Sequence, residues 1–410
     1  MTAGKRIREH RRRLGMTQEV LAGRAGVSTS WVSQVERGIL SPGSLRSVIP
    51  VAEALGLDPL DLMEVRRKRV RNGERKANGV HALAMVLRRY PDRPASGATE
   101  PDLNAVMKRL DRAASFQRSC RYDEAAPLLA ALIPAAESAT RTSQNTERET
   151  DAYRLLSRVY RTAIYTLFRS GEGHDVAWIA AERCANAAER SEDLVTMAIA
   201  ARSRAHLFIH SGWPTEAVEA VTPAIDALAS AAEAPDQPPS DEPWWRPEPV
   251  AAWGALLLAG AIGAARGGDR ATMHRLLRQA DTAAQRAPRD DGIFGPTNTR
   301  IQTVDALAEL GDPTEVLRVG TAVDLSGLPA DERDRPAQLH IDVARGFEYK
   351  RQDEAALYRL LEGERVAPAL VREHPYVREM VSAMLHRRER RSRTPGLRDL
   401  AERVGVSDTE

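Results

Sequence analysis

The decapeptide STSWVSQVER, residues 28 to 37, carries side chains suited to hydrogen bonding with nucleic-acid bases. Glutamine can bond the adenine edge in a bidentate manner, serine and threonine reach bases or phosphates, and arginine favours guanine or phosphate. If the segment is helical, one side carries only groups that can donate hydrogen bonds: Thr29, Ser30, Ser33, Gln34 and Arg37. An ordinary polar surface helix would show the same pattern, so both interpretations stay open at this point.

Such side chains need a helix that is held down on its other face. Ser28 is placed to cap this helix, and Val27 before it can contact Val32 four positions inside, which is a hydrophobic staple. Val32 and Val35 then face a core, with Trp31 on the flank. Thr17 can cap a preceding helix that ends at Gly26, so the sequence predicts two short helices joined by a sharp turn.

The surrounding stretch, Arg6–Met63, resembles the helix-turn-helix domain of the xenobiotic-response-element and phage-repressor family. The matching segments are RLGMTQ, LAGRAGVS, SWVSQVERG and AEALGLDPLDL, in register over nearly the whole stretch. The resemblance implies a five-helix domain with Ser28–Arg37 as the recognition helix in the major groove. It implies that Thr29, Ser30, Ser33 and Gln34 face bases, that Gln18 and Arg37 hold phosphates, and that Trp31 packs on the backbone or the domain edge. With Ser28, these are the predicted DNA-binding residues.

The resemblance also gives Glu36 a structural role, for which we expect an ion pair with an arginine of the first helix such as Arg8. Charge distribution agrees with a polyanion partner. Residues 1–76 hold 16 Lys or Arg against 8 Asp or Glu, whereas the whole chain of 410 residues has a net charge of only +2. A basic head on a mildly acidic body is typical of a protein whose head meets nucleic acid, with binding that weakens in salt.

From residue 101 to about 390 the pattern changes to amphipathic helices separated by short turns. One signature recurs, in which a turn residue precedes Asp, Thr or His and then an apolar helix. Its six copies can be aligned on one small apolar position, and successive copies are 51, 41, 54, 45 and 39 residues apart. The aligned residues are Ala125, Val176, Ala217, Ala271, Val316 and Ala355. We expect Asp or Thr to cap each second helix. The spacing resembles degenerate tetratricopeptide repeats, which implies stacked helix pairs in an α-solenoid.

The predicted fold is therefore all-α, with a five-helix helix-turn-helix domain at 1–65 and a tetratricopeptide-like repeat domain at 101–390. Between them, residues 66–100 read as a basic linker with a possible short helix, and residues 391–410 as a tail or capping helix. Met1–Leu14 is charged throughout and unlike a secretory signal. The apolar run 250–265 is shorter than the roughly 20 residues that span a bilayer, and we interpret it as a buried helix. We expect a cytoplasmic, nucleoid-associated protein without a membrane partner.

Several helices of the body carry polar stripes that could line a concave wall. Arg154, Arg158, Arg161 and Tyr165 follow one line, Arg202 and His206 lie on another with His210, and Asn298 and Gln302 on a third with Asp305. Solvated helix faces explain them equally; the functional interpretation is a groove for an anionic or peptide ligand. His206 and His210 lack the glutamate of a metal hydrolase motif and an obvious third ligand. We expect no metal, no cofactor and no enzymatic activity.

A helix-turn-helix head joined to such a body is similar to the peptide-pheromone receptors and related sensory regulators of bacteria. The resemblance implies a homodimer that binds double-stranded DNA and whose body senses a peptide or small-molecule effector. Two hypotheses result. The first is a ligand-responsive transcriptional regulator; the alternative is a DNA-localised scaffold whose repeats recruit a protein partner without a small ligand. A compound that shifts DNA affinity would favour the first.

Overall fold

The computed structural model describes residues 2–63, 79–89, 102–170, 173–233, 248–287, 293–388 and 396–406. Regular secondary structure in these ranges is helical throughout, which confirms the all-α prediction. The basic segment Arg66–Lys76 and the proline-rich segment that carries Trp244 and Trp245 lie outside the described residues.

Five helices form the head, as predicted: α1 (Ala3–Arg13), α2 (Gln18–Ala25), α3 (Thr29–Glu36), α4 (Leu45–Leu55) and α5 (Pro59–Leu62). The predicted caps of the two central helices are present. Thr17 accepts a hydrogen bond from the Val20 amide at 3.2 Å, and Ser28 accepts one from the Trp31 amide at 3.1 Å. Gly26 ends α2 with φ of 63°, a left-handed conformation that costs glycine little, so the chain turns sharply into α3.

The rest of the described chain is a helical array in which consecutive helices pack against one another. Its members are α6 (Gly79–Arg88), α7 (Leu103–Arg118), α8 (Tyr122–Thr142), α9 (Glu149–Arg169), α10 (His174–Arg190), α11 (Leu194–His210), α12 (Pro214–Glu233), α13 (Pro249–Arg266), α14 (Arg270–Arg286), α15 (Pro296–Leu310), α16 (Pro313–Gly320), α17 (Asp334–Tyr349), α18 (Asp353–Val366), α19 (Pro368–Glu373), α20 (Pro375–Arg388) and α21 (Leu397–Val404). The short helix expected in the linker, α6, contributes its apolar side to the core formed by α7 to α10.

The recurring turn signature has a structural basis that the sequence only partly predicts. At two copies of the signature a glycine in the left-handed region precedes an aspartate that caps the next helix: Gly268 before Asp269 and Gly311 before Asp312. Glu192 and Asp193, which are not a copy of the signature, form the same arrangement before α11. At α8, α10 and α18 the capping prediction is wrong. The aspartates there, Asp123, Asp175 and Asp353, lie inside the first turn, and none of these helices has a side-chain cap.

The array does not stay open. Arg118, at the end of α7, pairs with Asp331 just before α17 at 2.6 Å, and the Arg333 amide donates to the Arg118 carbonyl. Arg169 of α9 pairs with Asp334 at 3.2 Å. The first helices of the body thus return to contact the region around α17, and the array folds back on itself instead of presenting an open concave wall.

The apolar run forms α13 at the centre of the body, as predicted, and its glycines allow close packing. A Cβ atom on Gly254 would lie 2.2 Å from the ring of Phe294, so that ring packs directly on the helix backbone. Among the described helices, α13 alone is both long enough and apolar enough to cross a membrane, but 89% of it is buried inside the protein.

Candidate nucleic-acid interface

Helix α3 is held by apolar contacts on one face, and α1 approaches it closely. Val32 and Val35 are each 1% exposed. A Cβ atom on Gly4 of α1 would lie 1.9 Å from the Val35 carbonyl oxygen, so only glycine permits this approach. The opposite face of α3 is consequently fixed in its direction outward.

Beside these valines lies a buried ion pair. Glu36 accepts hydrogen bonds from the Arg11 guanidinium at 2.6 and 2.9 Å and from the Gln18 amide at 2.7 Å. Burial alone would raise the pKa of Glu36, but these hydrogen bonds and the positive charge of Arg11 outweigh it and lower that pKa. The expected ion pair of Glu36 with an arginine of the first helix is present, but the arginine is Arg11 and not the named example Arg8: Arg8 is exposed, and Arg11 lies on the buried face one turn after Ile7.

The outer face of α3 keeps the predicted character. Thr29, Ser30 and Arg37 are exposed, and Ser33 and Gln34 are half-buried. The Gln34 amide nitrogen donates to the Ser30 hydroxyl at 3.0 Å, and Arg37 donates to the Ser33 carbonyl at 3.1 Å. These contacts are local and exposed to solvent, so the groups can exchange them for bonds to a ligand. Because Glu36 points inward, its carboxylate is kept away from this face.

Three other predicted residues lie at the margins of that face. Ser28 is exposed, but its hydroxyl oxygen already caps α3. Trp31 is half-buried and contacts the apolar core shared with the body, as expected for packing at a domain edge. Gln18 starts α2 and uses one amide N–H on Glu36, which leaves its second N–H for a phosphate.

The body packs on the head, a feature that the sequence did not predict. Head residues share one apolar cluster with α17, α18, α20 and α21. Polar contacts surround it. The Ala3 amide donates to Glu379 at 3.0 Å, Ser41 donates to Glu348 at 3.0 Å, and Arg345 donates to the Gly43 carbonyl at 2.9 Å. The contacting positions are about 300 or more residues apart in sequence, so no local signal could have indicated them.

The polar stripes of the body are partly brought together. Arg202 donates to the Tyr165 hydroxyl at 2.8 Å, and the ring of His206 lies edge-on to Tyr165 with the centroids 5.7 Å apart. Arg161 lies one turn before Tyr165 on α9, and burial followed by the charges of Arg158 and Arg202 lowers its pKa to about 10. We call Arg161, Tyr165, Arg202 and His206 the interior cluster.

The remaining stripe residues are engaged elsewhere. Arg158 pairs with Asp111 at 2.8 Å, and Arg154 with Asp151 and, at 3.5 Å, with Asp193. Asn298 donates to the Ile293 carbonyl and accepts from Gln302, and both are buried. The prediction that all three stripes line one wall is therefore not supported for Arg154 and Arg158, whose charges are neutralised by partners.

The interior cluster is positively charged without being a metal site. Burial lowers the pKa of His206 and of His210 well below the usual range, and the neighbouring arginines Arg169 and Arg266 lower both further, so these imidazoles are neutral near pH 7. In the part of the chain that the structure describes, no three His, Cys, Asp or Glu residues converge to hold a metal ion. Cys120 and Cys184 are buried, and burial raises their thiol pKa values to about 12 and about 11.

Comparisons with known proteins concern the head. A family described as a helix-turn-helix domain matches residues 3–65. An uncharacterized HTH-type transcriptional regulator of Methanothermobacter thermautotrophicus is 46% identical over 55 residues, which cover 13% of this chain and 78% of that protein. No solved structure matches the chain.

Proposed function

Since this chain belongs to the helix-turn-helix type transcriptional regulators by its N-terminal domain, we propose that it regulates transcription by reading a specific sequence in double-stranded DNA through α3. We assign it to the xenobiotic-response-element type, acting on the nucleoid in the cytoplasm. The supporting observation is the outer face of α3, where hydroxyl, amide and guanidinium groups are accessible and the single carboxylate, Glu36, is turned inward.

Selectivity is expected to depend on Gln34. Replacing it by alanine should remove a bidentate contact, with a loss of about 1–3 kcal/mol in discrimination between the selected site and unrelated DNA. Duplexes are selected from a random library by the wild-type protein, and binding is measured by fluorescence anisotropy at several salt concentrations. Gln285→Ala is the matched control, since Gln285 is exposed on α14 of the body. A wild-type protein without sequence-selective, salt-sensitive binding would refute the proposal.

The body, in this proposal, forms the homodimer and senses an effector. A two-fold dimer would read half-sites about 34 Å apart or a multiple of that spacing. Light scattering on the purified chain measures its mass in solution, and the spacing of half-sites in selected DNA provides an independent check. A monomer bound to a single half-site would refute the dimer without affecting the assignment of α3.

The effector class follows from the interior cluster. The positive charges of Arg158 and Arg202 act on Arg161, and Arg202 donates to the Tyr165 hydroxyl, so the cluster concentrates positive charge. Two neighbouring guanidinium groups, one buried and one half-buried, favour an anion such as a carboxylate, whether on a small molecule or at a peptide terminus. Thermal shift and calorimetry with carboxylate compounds and peptides would test this, with Arg161→Met and the exposed control Arg204→Met. Partner recruitment without any small ligand would instead favour the scaffold alternative.

A further inference from the structure

A turn of the body lies beside the C-terminal half of α3. It comprises Tyr349, the last residue of α17, followed by Lys350, Arg351 and Gln352, which lead to α18, and all four residues are exposed. The Arg351 guanidinium donates to the Gln34 amide oxygen at 2.8 Å. A residue from the body therefore contacts the side chain of the head that is best suited to read a base.

Both ends of this turn are fastened to the head. Glu348, just before the turn, accepts hydrogen bonds from Ser41 at 3.0 Å and from Arg387 at 2.8 Å. Asp353, just after it, accepts from Arg387 at 2.6 Å, and Arg387 also donates to the Ile39 carbonyl at 2.8 Å. The turn and the loop after α3 are thus held as one unit.

The turn leaves the outer face of α3 accessible. Thr29, Ser30 and Arg37 remain exposed while the body is packed on the head, so the body flanks the recognition helix and does not cover those residues. The major groove is about 12 Å wide and admits one helix. An element that flanks the helix in that groove meets the sugar-phosphate backbone at the groove edge.

The charges of the turn match that position. Lys350 and Arg351 are both cationic and exposed, while the neighbouring carboxylates Glu348 and Asp353 are paired with Arg387; Glu354, one residue further on, is exposed. An element that masked the helix by imitating DNA would have to be acidic. Here the turn adds positive charge next to Gln34 instead.

We propose that the turn 349–352 is a second DNA-contacting element, in which Lys350 and Arg351 bind backbone phosphates beside the groove that α3 enters. An arginine has five N–H donors, so Arg351 can bond a phosphate while it still holds the Gln34 amide oxygen. It thereby also acts as a positioning residue that orients Gln34. This inference rests on the proposed DNA-binding function.

The test measures binding of full-length protein to the selected duplexes as a function of salt. Each lost phosphate contact reduces the slope of log K against log salt by about 0.9. We expect Arg351→Ala to lower the slope by about that amount, Lys350→Ala/Arg351→Ala by about twice that, and Arg351→Lys to keep the slope while relaxing selectivity at the Gln34 position. Arg365→Ala is the control, because Arg365 lies at the other end of α18 and is exposed beside Glu362.

The outcomes separate this inference from the function on which it rests. If wild-type protein binds no DNA selectively, both are refuted. If wild-type protein binds and Arg351→Ala keeps the wild-type slope, only the inference is refuted. Tighter binding by Arg351→Ala would show that the turn obstructs the helix, and it would overturn the inference in the opposite sense.

Discussion

The buried pair of Arg11 and Glu36 provides the sharpest test of how the recognition helix is held. We consider Arg11→Met, which keeps the length and most of the apolar volume of the side chain but removes its charge. The side chains of Arg11 and Glu36 are 10% and 2% exposed, so the carboxylate left behind would stay buried with only the Gln18 amide as partner. Breaking a buried ion pair in this manner costs about 3–5 kcal/mol. Because Arg11 keeps some contact with water, we expect a value near the lower end, about 3 kcal/mol.

Hydrogen exchange of amides in α1 and α3, measured by mass spectrometry on the full chain, reports this change locally. A loss of about 3 kcal/mol corresponds to exchange more than a hundredfold faster in these helices. Arg13→Met is the matched control, since Arg13 pairs with Glu9 on the exposed side of the same helix and such a pair is worth about 0.3–0.5 kcal/mol.

A second variant tests whether the unpaired buried charge of Glu36 causes the loss of protection. In Arg11→Met/Glu36→Leu no charge is left buried, and replacement of an ion pair by apolar residues is often neutral or stabilising. We therefore expect the double variant to recover most of the lost protection. Exchange in α3 that rises less than tenfold in Arg11→Met would refute the view that this pair fixes the recognition helix, as would a double variant that is less protected than the single one.

Two further predictions concern packing and protonation. Gly4→Ala should destabilise the head by about 1–3 kcal/mol in urea unfolding, because the new Cβ would meet the Val35 carbonyl. Gly23→Ala in α2 is the control: its new Cβ meets nothing within 4 Å, and it should stabilise the head by about 0.5–1 kcal/mol. Equal effects of the two substitutions would contradict the close approach of α1 to α3. The lowered pKa of His206 means that the unfolded chain binds its proton first as pH falls, so this residue contributes stability that is present above about pH 6.5 and lost below it. Relative to His206→Gln, the wild-type protein should lose up to about 1.4 kcal/mol of folding stability per pH unit below 6.5. The variant is needed as a reference because Asp305 acts in the opposite direction: burial raises its pKa to about 7, so its protonation stabilises the folded protein as pH falls. Parallel stability curves for wild type and variant would refute this assignment.

Local patterns predicted the head well because its helices obey short-range rules. Thr17 and Ser28 cap the helices that follow them, Gly26 supplies the left-handed turn, and Val32 and Val35 face the core, and all of these residues lie between positions 17 and 35. An arginine of α1 was correctly predicted to pair with Glu36, and only the named example, Arg8, was wrong. Helical spacing from the buried Ile7 leads to Arg11, four residues on, whereas Arg8 falls on the exposed side.

The long-range contacts of the body could not be predicted from local patterns. A helical array could be inferred from turn residues and apolar periodicity, but the return of α7 onto the segment before α17 depends on Arg118 and Asp331, which are 213 residues apart. The contact of Arg351 with Gln34 spans 317 residues. Neither pair leaves a periodic signal, because each is a single polar contact selected by the tertiary arrangement.

The apolar cluster shared by head and body has a consequence for modular exchange. Its head members include Val48 and Val51 of α4, and its body members include Val377, Val381 and Met384 of α20. A head grafted onto an unrelated repeat array would expose whichever of these side chains the new body failed to cover. This regulator is consequently a poor donor for chimeras joined at the linker, and a functional exchange would have to transplant α17 to α21 together with the head.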